Sequence, residues 1–132
     1  MEPRPTREVI TTPHAPAAIG PYSQAVRAGG FVFVSGQIPM DPQTGELIQG
    51  GVGDETDRAL KNLEAVLTAS QLSLRDVVKT TIYLTAMSDF EAVNQVYARY
   101  FSEAPPARAT VAVAGLPRGA RVEIEAIALA RD

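Results

Sequence analysis

The tightest constraint on this chain is a stretch near its C-terminus where charged residues interrupt two runs otherwise patterned as buried β-strands. Residues 105–130 read PPARATVAVAGLPRGARVEIEAIALA. Side chains alternate between the two sides of a strand, so the period of two assigns each residue a side. In the first run Arg108, Thr110, Ala112 and Ala114 point one way, and Ala109, Val111 and Val113 the other. In the second, Val122, Ile124, Ala126 and Ala128 form one face. Arg121, Glu123, Glu125, Ile127 and Leu129 form the opposite face. A charge in such apolar company is expected to be partly buried, and it then needs a partner or a task that rewards its desolvation. From these residues alone several readings stay open. Arg108 and a glutamate form a structural ion pair, the carboxylates lie on a solvated sheet edge, or the charges belong to a site. Taken locally, the two runs look like a hairpin.

The rest of the chain supplies a frame for them. Residues 1–7 read as a loose tail and Glu8–Thr11 as a short strand closed by Pro13. Ser23–Ala28 and Phe31–Ser35 alternate as strands joined across Gly29-Gly30, a two-residue hairpin signal. Phe31-Val32-Phe33-Val34 is apolar on both sides, whereas an antiparallel strand of a lone small domain usually keeps one side wet. One side can pack on helices; the other is expected to meet a second subunit. Pro39–Val52 reads as a loop. From Asp54 to Ser70 the spacing turns helical, with Leu60, Leu63 and Leu67 on one face, Val66 beside them, and acidic Asp54, Glu55 and Asp57 in the first turn. Val77–Thr85 alternates as a strand. Ser88 and Glu91 have capping-box spacing and open a helix whose apolar face is Phe90, Val93, Tyr97 and Phe101. Asn94 lies one turn on from Phe90, as a half-buried amide or a site residue. The order βββ–α–β–α–ββ predicts an α+β domain with two helices over one sheet face.

Composition narrows the chemistry. At 132 residues the chain is expected to be one domain, 1–132, large enough to bury a core without staples. It has no cysteine, hence no thiol nucleophile, thiolate ligand or disulfide, in keeping with a cytoplasmic protein. His14 is the only histidine, so a catalytic triad, a histidine acid–base pair or a zinc site within one subunit is not expected. The start lacks the apolar segment of a signal peptide, and no run is long enough for a membrane span. A net charge of −3 gives no basic field to draw nucleic acid. Arg118, Arg121 and Arg131 read as scattered surface charges, with Arg108 the exception.

Six motifs occur in order: APAAIGPYSQAV (Ala15–Val26), VSGQIP (Val34–Pro39), VVKTTIYL (Val77–Leu84), DFEAVNQVY (Asp89–Tyr97), PPARATV (Pro105–Val111) and VEIEAIA (Val122–Ala128). Each is weak alone. The ordered set, from about Ile10 to Ala130, resembles the YjgF/YER057c/UK114 family, the reactive-intermediate or imine deaminases called RidA. The resemblance implies a chorismate-mutase-like α+β fold with a six-stranded sheet backed by two helices. In that fold Val77–Thr85 lies between the last two strands, which displaces the hairpin reading. It also implies a homotrimer with a central β-barrel and clefts between subunits, giving the two-sided apolar strand its partner.

The activity the resemblance implies is hydrolysis of 2-imino acids and their enamine tautomers to 2-keto acids and ammonia. Carried over motif by motif, Arg108 binds the substrate carboxylate and Glu123 activates the attacking water. Tyr22, Ser35, Gly36 and Asn94 complete the cleft wall. Thr110 stands where many members have cysteine; its hydroxyl can still donate and accept. Glu125 is left a structural role, as an ion-pair partner of a nearby Lys or Arg. The residues suit the chemistry: a planar carboxylate fits arginine's forked donors, and one carboxylate can serve as base toward water and then as acid toward ammonia. No metal or cofactor is implied. The partners expected are a small imino or keto acid and further copies of the chain, with no nucleic acid and no membrane. Two rivals are a non-catalytic carboxylate-binding or chaperone-like trimer and an endoribonuclease or translation inhibitor.

Overall fold

The computed structural model describes residues 6–131. The elements follow the expected order: β1 (Arg7–Ile10), β2 (Ala25–Ala28), β3 (Phe31–Gln37), α1 (Val52–Ala69), β4 (Val77–Leu84), α2 (Phe90–Tyr100), β5 (Ala107–Ala112) and β6 (Val122–Leu129). Of the expected tail, residues 1–5 lie outside the described residues, and Arg7 already opens β1. The turn between β2 and β3 has φ of 59° at Gly29 and 87° at Gly30. Both central residues of this tight hairpin turn need positive φ, which glycine adopts without a Cβ penalty.

The six strands form one sheet in the order β1-β2-β3-β6-β4-β5. β4 runs antiparallel to β6 and parallel to β5, so residues 105–130 are not a hairpin: β4 separates their two strands, and α2 carries the crossover from β4 to β5. The helices lie on one face. Val122, Ile124 and Ala128 of β6 are fully buried, as are Leu60, Leu63, Val66 and Leu67 of α1. Each such large side chain contributes about 1.5–3 kcal/mol on leaving water, which makes the α1–β6 contact the centre of the fold. The other sheet face is uncovered, and Phe31, Phe33 and Leu129 stand exposed on it.

Charges fasten this core at two places where the sequence reading put scattered arginines. The Arg121 backbone N–H donates to Glu55 Oε1 at 3.0 Å, its Nε donates to Oε2 at 2.5 Å, and its terminal nitrogen donates to the Gly50 carbonyl at 2.7 Å. Glu55 is 7% exposed, so this forked pair ties the first turn of α1 to the entry of β6. Arg131 forks onto Asp76 in the same way, at 3.0 and 2.7 Å. Arg118 remains exposed. The capping box expected at Ser88 does not form. The chain enters α2 through a 3-10 turn, Met87–Asp89, with Asp89 at the cap and no side-chain cap bond. At α1, by contrast, Asp54 reaches back and accepts the Gly51 N–H at 3.1 Å, satisfying a helix-end donor.

Candidate functional site

Glu123 owes its setting to an irregularity in β3. Val34 pairs with Ala126 but Gln37 pairs with Ile124, so β3 carries one extra residue, a bulge at Ser35-Gly36. Bulges re-aim side chains and recur beside active sites. Here the bulge brings the backbone of Gly36 under the Glu123 carboxylate: a Cβ at position 36 would lie 2.1 Å from Glu123 Oε2. Only glycine leaves that space. Ser35 is fixed by two bonds, its N–H donating to the Gln24 carbonyl at 2.9 Å and its hydroxyl to the Ser23 carbonyl at 2.5 Å. Tyr22 is exposed, and its hydroxyl accepts the Ile19 N–H at 3.3 Å. Ile19, Tyr22, Ser35, Ile38, Pro117 and Glu123 border a pocket of about 330 Å³. Sequence reasoning missed the residue that holds this wall together. Gln24, 4% exposed, donates to the carbonyls of Thr12, Ala15 and Pro16 and accepts the Thr12 N–H at 2.7 Å. The available signal was a lone amide at the mouth of an apolar strand, a residue type that must find partners when buried.

Glu123 is half-buried. Burial pushes its carboxyl above the usual carboxylate range, and the neighbouring Glu125 adds to the effect. No hydrogen bond engages its side chain among the described residues. Among the described residues Glu125 has no ion-pair partner, where one was expected; it accepts the Tyr83 hydroxyl at 2.6 Å. That bond is the first cause holding the Tyr83 hydroxyl's pKa above its ordinary value.

Arg108 is prepared differently. Phe90, Asn94 and Tyr97 lie at i, i+4 and i+7 on α2, one stripe of that helix. The Arg108 guanidinium lies over the Phe90 ring at 5.6 Å and the Tyr97 ring at 4.9 Å from the centroids, and it donates to Asn94 Oδ1 at 2.7 Å. Tyr97 is pinned in turn, its hydroxyl 2.7 Å from that of Thr80. Arg108 and Asn94 are exposed, where sequence reasoning had them partly buried; β5 is an edge strand, and α2 shields only one flank of it. Thr110, next on the same side, has a buried hydroxyl oxygen with no partner among the described residues.

The register keeps Arg108 and Glu123 apart. Arg108 pairs with Thr80, a buried residue under α2, so it lies on the helix side. Glu123 pairs with Tyr83, between buried pairs Leu84–Val122 and Ile82–Ile124, so it lies on the open side. Within one chain they occupy opposite faces of the sheet, which excludes the ion-pair reading for these two.

Residues 12–130 match the family described as Endoribonuclease L-PSP. The chain belongs to this family. Among its relatives, the mouse 2-iminobutanoate/2-iminopropanoate deaminase is 54% identical over 93% of this chain and 91% of its own length. RidA from an Antarctic Psychrobacter superposes with a TM-score of 0.89 at 46% identity, covering 92% of this chain and 98% of that one. The Escherichia coli protein TdcF, solved with bound serine, gives 0.89 at 43% identity, covering 94% and 99%. The resemblance drawn from the six motifs therefore holds, and so does the α+β architecture. In this L-PSP family chain the candidate residues fall into two groups: a stacked, hydrogen-bonded cation on the helix side and a half-buried carboxylate over glycine on the open side.

Proposed function

We propose that this protein hydrolyses 2-imino acids and their enamine tautomers, such as 2-aminoacrylate, 2-iminopropanoate and 2-iminobutanoate, to 2-keto acids and ammonia. It works as a homotrimer with each cleft shared between two copies. The observation that carries this reading is the placement of Arg108 and Glu123 on opposite sheet faces, each prepared and neither in an ion pair among the described residues. A cleft containing both draws them from different copies. The uncovered apolar face, with Val9, Phe31, Phe33 and Leu129 between 38% and 52% exposed, supports such an assembly. In the shared cleft the Arg108 fork holds the substrate carboxylate. Glu123 takes a proton from water as oxygen attacks C2 of the protonated imine. It returns that proton to the amine nitrogen, and as the C–N bond breaks and ammonia leaves it takes the proton of the new hydroxyl, which becomes the keto oxygen; that proton then passes to the departing ammonia, giving ammonium. A carboxyl with raised proton affinity suits both steps. Tyr22, Ser35, Gly36 and Asn94 shape the wall, and the unpartnered Thr110 hydroxyl is free to bond the substrate. The name of the mouse relative and the serine bound to TdcF, a small molecule with one carboxylate, support this substrate class.

The test is ammonia release from freshly generated 2-aminoacrylate, measured with and without the protein. Arg108→Ala alone should lose at least a hundredfold in kcat/KM, since each charge-assisted bond it makes contributes roughly 1.5–3 kcal/mol. Glu123→Gln alone should also be nearly inactive. Co-expressed, the two inactive chains should regain about a quarter of normal turnover, the share of clefts pairing one intact Arg108 with one intact Glu123 in random trimers. Mixed assemblies with no recovered activity would put the site within one chain and sink the proposal. The family's name, Endoribonuclease L-PSP, supports a competing reading, RNA cleavage, and the same preparations incubated with RNA would reveal it.

A further inference from the structure

Two carboxylates share the open face of β6, and only one of them has a donor. Tyr83 stands directly across from Glu123, yet its hydroxyl leans diagonally to Glu125, whose direct cross-strand partner is Thr81. Glu123 is left against Gly36 without a side-chain bond. Glu125, two residues on and on the same face, faces it as a negative charge. Few other groups face Glu123. From β4 come Tyr83, Thr81 and, further along, Lys79; from the 12–22 loop, Tyr22; from the bulge, Ser35; and from β1, Arg7, which lines the adjoining cavity with Tyr22 and Ser35. Arg121 is committed to Glu55, and no Lys, Arg or His borders the pocket. A phenylalanine at position 83 would fill the same volume, so the hydroxyl serves the carboxylates rather than packing.

We infer that Tyr83 and Glu125 form a positioning pair that holds a fixed negative charge beside Glu123 and so sets the pH at which Glu123 exchanges its proton. The inference rests on the reading of Glu123 as the acid–base group. Adjacent carboxylates with no other partner share a proton, and neither is then a clean base. The phenol prevents this by engaging Glu125 and keeping its side chain in one place. Glu123 alone is then left to take up and return a proton. Burial and the Glu125 charge both raise its proton affinity. The pair acts through Glu123.

Titration of the glutamate carboxyls by carbon-13 NMR tests this without relying on turnover, with the Glu123 signal identified by its absence from Glu123→Gln. In Glu125→Gln the Glu123 midpoint should fall, because the like charge that raises it is gone. In Glu125→Asp it should stay nearer its original value. In Tyr83→Phe it should rise and broaden, as the freed Glu125 comes to share the proton. The acidic limb of kcat/KM should move in the same directions with KM little changed. A merely structural pair would lower the melting temperature and leave the midpoint in place, and an unmoved midpoint in both Glu125→Gln and Tyr83→Phe overturns the inference. Arg108 of the partner subunit is common to all variants and cancels from the comparison. Shifted midpoints in a protein that releases no ammonia would keep the pair and remove the deaminase reading; an active protein with unmoved midpoints would do the reverse.

Discussion

The two faces of β6 differ although their residues alternate along a single strand. On one side Val122, Ile124, Ala126 and Ala128 are at most 3% exposed beneath the helices. On the other, Glu123, Glu125 and Ile127 are half-buried, and Leu129 is 52% exposed. The covered face is finished within one chain: its apolar area is spent on α1, and no charge intrudes. On β6 itself, the open face holds what is left unfinished: the apolar area, a glutamate without a donor and the glycine bulge beneath it. Stability thus comes from one side of the strand, and the chemistry proposed for Glu123 from the other. That separation lets the open side keep a group that is costly to bury, because the covered side stabilises the fold without it.

Substitutions on the two faces should therefore have effects of different kinds. The largest expected effect lies on the open face: Glu123→Gln should lower kcat by roughly 10²–10⁴-fold, the usual worth of positioned acid–base catalysis. Keto-acid binding should persist, which ligand titration would check. On the covered face, Leu63→Ala should cost about 2–5 kcal/mol of stability through the cavity it leaves. Phe33→Ala should cost the single chain far less and instead weaken the assembly. Urea unfolding and light scattering together would separate these outcomes, and equal losses of stability would erase the contrast.

Gly36→Ala sharpens the comparison further. Its Cβ must displace the end of the Glu123 side chain, which is flexible enough to move. The fold should survive while kcat falls by roughly ten- to a hundredfold, as misplacement by about an ångström costs. The smallest effect is on melting. The folded Glu123 carboxyl takes up its proton at a higher pH than in the unfolded chain, so the ionised form costs stability at neutral pH. That cost disappears as pH falls through the folded value toward the ordinary glutamate range. In an Arg108→Ala background, which removes the cation proposed to share the cleft, Glu123→Gln should melt a few degrees higher at pH 7 and no higher near pH 4. A gap that persists in acid would assign the stabilisation to something other than the lost charge.

Much of this was legible in advance because local rules carried it. The Gly29-Gly30 turn, the Leu60–Leu67 spacing and the alternation of residues 122–129 each depend on near neighbours in the chain. Periodicity also gave the two-sided apolar strand at Phe31–Val34, whose outward residues Phe31 and Phe33 stand exposed. Misreadings came where the competing term was distant. Ser88 has the spacing of a cap but lies in a 3-10 turn. Arg121 looked solvated, yet it meets Glu55 across 66 residues. Glu125 found a phenol on β4 rather than a cation. Gln24 looked ordinary until four bonds to the 12–16 segment made it the anchor of the Tyr22 wall.

By itself the sequence determined which residues share a side of each strand, since alternation is a property of the extended backbone. It also determined, through six ordered motifs, the family to which those strands belong. Only the tertiary structure decided how the sides relate. Inserting β4 between β5 and β6, with parallel register on one flank and antiparallel on the other, turns Arg108 toward α2 and Glu123 away from it. Register between strands distant in sequence is set by how the whole apolar pattern packs, and a slip of one residue would reverse every side chain. The alternation within each run is silent on that choice, and so on which charges can meet.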